Sequence, residues 1–214
     1  MESLQRRLFN NNEHYGLHKN EAMAWFINKA YKGDIEDNDL FWALLIEIYQ
    51  HAECLYVYKE HIEELMCERF ETDSVLDACA YEDKQNETNT VEVIKKLWSQ
   101  PSVKVYRGQH EDDRLNISWT TDKGRAEWFA TRFWFPKEMV GNDYRGKSVL
   151  VSGKVLGSNI YFYTDSREEK ECLIPKPEEL VYEYEKEILP IPNGRATMGK
   201  MKKVALDSKY TNNA

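Results

Sequence analysis

The apolar spacing of this 214-residue chain changes once, near Pro101, and that change limits the fold more than any other feature. Before it, hydrophobic residues recur every three or four positions, the period of helices that bury one face. After it, short β-branched and aromatic runs alternate with polar or Gly-containing stretches, the pattern of strands and turns. Helices first and strands afterwards predict an α+β fold. We expect a helical region over 1–100, a mixed or antiparallel sheet over 101–192, and a basic tail over 193–214.

In the first half, Asn20 is placed to cap a helix carrying Ala22, Trp25, Phe26, Lys29 and Ala30, and Gly33 is placed to stop it. Asp37 to Asp39 is a second start signal, before the stripe Leu40, Phe41, Leu44, Leu45 and Ile48. Leu55, Tyr58, Ile62, Leu65 and Met66 continue the stripe, as one long helix or as two joined near His51. Thr72-Asp73 opens a further helix ending near Tyr81, and the polar residues 82–89 read as a loop. Asn89 and Glu92 have capping-box spacing ahead of Val91, Ile94, Leu97 and Trp98, and Pro101 ends that helix.

In the second half, residues 103–106, 115–120, 148–155, 160–163, 171–174 and 181–189 read as strands. Thr121-Asp122 caps a helix with Ala126, Phe129, Ala130 and Phe133 on one face, closed by Pro136. Residues 110–114 and the Gly- and Asn-containing 141–147 read as connections.

Six Trp and thirteen Tyr in a 42% hydrophobic chain supply a packed core and exclude wholesale disorder. A net charge of −8 argues against general nucleic-acid binding. The tail runs the other way: Arg195, Lys200, Lys202, Lys203 and Lys209 stand against Asp207 alone. It is either a solvated, frayed end or a contact for an acidic partner. Cys54, Cys67, Cys79 and Cys172 form no CxxC pair and do not cluster with the five His at ligand spacing. They read as buried thiols in a reducing cytosol, with no metal expected. No run has the length of a membrane span and the first residues carry no apolar signal core, so a cytoplasmic protein with no membrane partner is expected.

Three groups of polar residues lie at strand ends. Arg107 precedes Gly108; a guanidinium suits bidentate contact with phosphate or carboxylate, and a glycine lets a ligand approach the backbone. The plain alternative for Arg107 is an ion pair with Glu111 or Asp112. Ser118-Trp119-Thr120 carries hydroxyls, but no GxSxG elbow or local base surrounds Ser118, which favours positioning over nucleophilic attack. On a strand, Glu169 and Glu171 would share one face, ahead of the apolar run Cys172-Leu173-Ile174-Pro175. They are either a solvated acidic edge or the mouth of a ligand site.

Tyr106-Arg107-Gly108, then Ser118-Trp119-Thr120, then the helix with Ala126 and Phe129, then Glu169-Lys170-Glu171 resemble the arginine–serine–glutamate class of ADP-ribosyltransferases. The likeness covers residues 103–189, and the helical half is outside it. It implies NAD as co-substrate. Glu171 would stabilise the oxocarbenium-like state of nicotinamide–ribose cleavage. Ser118 would orient Glu171, Arg107 would bind phosphate or ribose, and Gly108 would present its backbone to the nicotinamide amide. Thr120 and Phe129 join the cofactor side, with Phe135 and Tyr144 closing over it. Glu169 would orient the acceptor; a glutamate there is similar to members that modify protein arginine. RNA or DNA is the alternative acceptor, and a non-catalytic binding or inhibitor module is the alternative of another class. An enzyme of this kind fits a toxin, a phage-borne host modifier or a defence effector, with an antitoxin or immunity protein as a neutralising partner.

Overall fold

The computed structural model describes residues 12–52, 55–132, 146–165 and 168–190. Phe135, Tyr144, Pro136, Cys54 and the basic tail lie outside the described residues. The fold is α+β. Five helices come first: α1 (Lys19–Tyr31), α2 (Asn38–His51), α3 (Lys59–Glu68), α4 (Thr72–Asn86) and α5 (Thr90–Trp98). Then follow β1 (Val103–His110), β2 (Ser118–Thr120), α6 (Lys123–Arg132), β3 (Ser148–Val155), β4 (Phe162–Thr164), β5 (Glu171–Leu173), the short α7 (Pro177–Leu180) and β6 (Tyr182–Ile188). The strands form one sheet in the order β4-β5-β2-β1-β3-β6, and every pairing is antiparallel.

The helix ends show which local signals prevail. His18, not Asn20, caps α1, and its backbone N–H donates to Glu21 (3.0 Å). Gly33 follows the helix at φ +76°, a conformation glycine adopts without penalty. Asp37 caps α2 by accepting from the Leu40 N–H (2.8 Å). The long stripe is interrupted after His51; a 3₁₀ turn, Leu55–Tyr58, leads into α3. Helix α4 runs five residues past Tyr81, because Glu82 is not a loop residue: it is buried and bonded across the core. The expected capping box of α5 is absent. Asp83 from the preceding helix accepts from Thr90 N–H (2.6 Å) and Val91 N–H (3.0 Å) instead.

In the sheet, β3 has the expected bounds, and the strands around it differ. β1 does not stop at Tyr106; it pairs with β3 from Val103↔Val155 to His110↔Ser148, so the ladder carries its polar end. Arg107 and Gly108 are therefore inside a strand, not behind one. β2 keeps only three of its six expected residues. β5 begins at Glu171 as expected and ends one residue early, at Leu173, but Glu169 is not on it, because Glu168 and Lys170 have positive φ (56° and 46°) and break the extended chain.

Helices and sheet share one apolar core that includes Phe26, Phe41, Trp42, Leu45, Val105, Val151 and Leu173. Phe70 fastens the two parts: its ring lies 4.1 Å from Tyr161 and 6.3 Å from both Trp42 and Trp98, edge-on to the latter two. On the opposite strand phase, Gly108 pairs with Leu150 and lies against α6. Cys79 and Cys172 are buried, whereas Cys67 is only partly so. Among the described residues, no helix is long and apolar enough to cross a membrane.

Candidate active site

A cleft of about 1610 Å³ opens between the end of α2, residues 57–63 and the β1–β2–β5 part of the sheet. Arg107, Gly108, Ser118, Thr120, Phe129, Glu169 and Glu171 all line it. The cleft exceeds the roughly 300–1,000 Å³ usual for small-molecule sites.

Glu171 is at its centre and 7% exposed. As the first residue of β5 it pairs with Thr120 on one side and Thr164 on the other, so its backbone is held by two ladders. Its Oε1 accepts from Ser118 Oγ and from Tyr49 Oη (2.9 Å). Arg107 donates from Nη1 to the Ser118 carbonyl (2.6 Å) and from Nε to Gln109 Oε1 (3.0 Å). These bonds, rather than pairing with Glu111 or Asp112, fix it. Two of its five N–H donors are used in these bonds. Burial pulls the guanidinium pKa down, while Tyr49, Asp113 and Glu171 push it back up, and it stays charged.

Glu169 reaches the cleft by a different route from the one its spacing suggests. Strand alternation does not relate it to Glu171, since residues 168–170 form a turn. That turn is held by Thr120 Oγ1 on the Glu169 carbonyl (2.7 Å), Arg125 on the Glu168 carbonyl (2.8 and 3.1 Å) and Asp165 on the Lys170 N–H (3.1 Å). Lys170 also bonds Asp122 (3.2 Å). Thr120 thus commits its hydroxyl to the turn and not to the open cleft.

Gly108 owes its lack of a side chain to packing. A Cβ there would lie 1.9 Å from the Ala126 carbonyl oxygen and 2.4 Å from the Ala130 nitrogen. The glycine lets α6 lie directly on β1, and so sets Phe129 in the cleft wall.

Sequence reasoning missed Tyr49. It sits in the last turn of α2, is 3% exposed, and burial followed by the Glu171 charge raises its pKa well above the usual phenol range. It is therefore a protonated donor at neutral pH. Its only local signal is its place beside Ile48 on an apolar helix. Also missed was the network behind the site: Gln50 Nε2 (2.6 Å) and Thr164 Oγ1 (2.5 Å) both donate to Glu82 Oε1.

Burial pushes Glu82 from the ordinary 4.5 up to about 7, although the Thr164 and Gln50 hydrogen bonds pull it down. The folded state then holds a proton that the unfolded chain releases between about pH 4.5 and 7. Stability attributable to this group is full below that window and falls as pH rises through it. Glu82→Gln is expected to flatten the fall and stabilise the protein at pH 8 by at most about 3 kcal/mol, read by denaturant unfolding across pH.

No protein-family model, curated protein or solved structure matches the chain.

Proposed function

We propose that the protein is a mono-ADP-ribosyltransferase that splits NAD at the nicotinamide–ribose bond and passes ADP-ribose to a macromolecular acceptor, favourably protein arginine. One observation carries this reading: a buried Glu171, its Oε1 fixed by two hydroxyl donors, opens with Arg107 and Glu169 onto one large cleft. The residues present fit such a co-substrate. Arg107 offers donors to an anionic group, Phe129 and Tyr106 offer apolar ring surface, and the volume suffices.

NAD would supply the transferable ribosyl group and nicotinamide as the leaving group. Glu171 would place negative charge where the ribose becomes cationic, in a partly water-excluded setting that strengthens the interaction. Ser118 and Tyr49 both donate to that carboxylate, so little reorganisation would be needed when charge develops. Glu169, on its pinned turn, would pair with the incoming cation. A free guanidinium does not give up its proton at neutral pH, so Glu169 would orient it by charge; the N–H proton would pass to solvent only as the new N–C bond forms and nicotinamide departs with the electron pair of the broken bond.

The cleft wall favours a cationic acceptor. Among the described residues it carries Glu60, Glu63, Asp112, Asp113 and Glu178 besides Glu169 and Glu171, against Lys59, Arg107 and Arg114. A nucleic-acid backbone would meet repulsion there.

The reading is tested by incubating the protein with NAD labelled in its adenylate moiety and a cell lysate. Protease-sensitive label is the expected result. Nuclease-sensitive label would move the acceptor to RNA or DNA. Absence of both label and nicotinamide release would leave a binding module as the surviving reading.

A further inference from the structure

We propose that Tyr49 is a positioning residue for Glu171, and that the helical half is thereby a working part of the active site and not only a support packed beside it. The inference rests on the NAD-cleaving reading for its catalytic consequence, though not for the contact itself. Glu171 Oε1 has two hydroxyl donors that come from opposite ends of the chain's architecture: Ser118 from β2 and Tyr49 from α2, 122 residues away in sequence. The phenol cannot swing freely. Its helix is anchored by the fully buried Phe41, Trp42, Leu44 and Leu45, and the ring itself is buried. The next residue, Gln50, ties the same helical turn to Glu82 (2.6 Å) and lies 3.4 Å from Thr164 Oγ1. Thr164 is the β4 partner of Glu171, so α2 grips this strand pair at two adjacent points.

The physical consequence is directional. A single donor on a carboxylate oxygen leaves the group free to rotate about that bond, whereas two donors from separate rigid elements define its plane. Docking of α2 against the sheet is then what finishes the geometry of Glu171. A tyrosine placed there for packing alone would need only its ring. Its hydroxyl would as readily meet a backbone carbonyl, and the high pKa that burial gives it keeps the proton available for donation.

The test uses the full chain with Tyr49→Phe, Glu171→Gln and the double variant, read by nicotinamide release from NAD and by thermal unfolding. Tyr49→Phe keeps the ring and removes the donor. Expected is a fall in kcat of roughly ten- to a hundredfold, the size of a hydrogen bond to a charged group, with KM for NAD changed less than about twofold. In the Glu171→Gln background the same substitution should lower kcat no further. The thermal cycle is run with Glu171→Ala, which removes the acceptor, and the shift in Tm of the Tyr49→Phe/Glu171→Ala double variant should differ from the sum of the single shifts. Unchanged kcat with a lowered Tm would make Tyr49 a packing residue and overturn the proposal. If the unaltered protein releases no nicotinamide, the proposed function fails, and the thermal cycle alone judges the contact. Additive shifts would then overturn it, and non-additive shifts would retain Tyr49 as the residue that holds Glu171 for whatever chemistry the cleft performs.

Discussion

Glu171→Gln is expected to slow nicotinamide release from NAD by at least about a hundredfold while leaving the fold intact, as judged by circular dichroism and Tm. The substitution is nearly isosteric. An amide oxygen can still accept from Ser118 and Tyr49, so the two hydrogen bonds that hold the side chain are retained. What disappears is the negative charge facing the developing ribosyl cation. Because that charge is 7% exposed, little water screens it, and its loss is felt more than that of a surface carboxylate. Neutralising a buried carboxylate also removes a desolvation cost, so Tm should hold or rise. Full activity in this variant would remove Glu171 from the chemistry and with it the proposed function.

Gly108→Ala is expected to cost about 3 kcal/mol or more, or roughly 10 °C in Tm for a chain of this size. The new methyl would meet the backbone of α6 at Ala126 and Ala130, not the end of a movable side chain. Relief requires α6 to lift away from β1, which would uncover the buried Ala126 and Ala130 and shift Phe129 in the cleft wall. Stability and nicotinamide release should therefore fall together. Gly16→Ala is the control: an added Cβ there meets nothing within 4 Å, and the change should stay within about 0.5 kcal/mol. Equal behaviour of the two variants would contradict the packing of α6 on β1.

Some of this architecture is legible in the sequence alone. β3 alternates in sequence and pairs along its whole length with β1 and over most of it, with one register shift, with β6, so its bounds are legible in the pattern. Asp37 announces α2 because an N-cap acts on a neighbour three residues away. Where the outcome depended on a distant partner, local signals misled. Glu82 and the residues after it read as loop because the chain is polar there, yet Gln50 and Thr164 bond that carboxylate inside the core. β1 outruns its apolar part because β3 supplies partners for Arg107 to His110. Glu169 and Glu171 were related by strand alternation, while the actual relation is a turn pinned by Thr120, Arg125 and Asp165.

The sequence by itself determined the broad order, helices first and strands afterwards, and it marked Arg107, Ser118, Glu169 and Glu171 as candidates, which the fold brings to one cleft. Periodicity is a local property, so the order needed nothing more, whereas the grouping of the four residues rested on a family resemblance. Only the tertiary structure decided how Glu171 is held. Its second donor, Tyr49, is brought by the docking of an apolar helix, and burial of that helix, not any spacing along the chain, sets the distance between phenol and carboxylate.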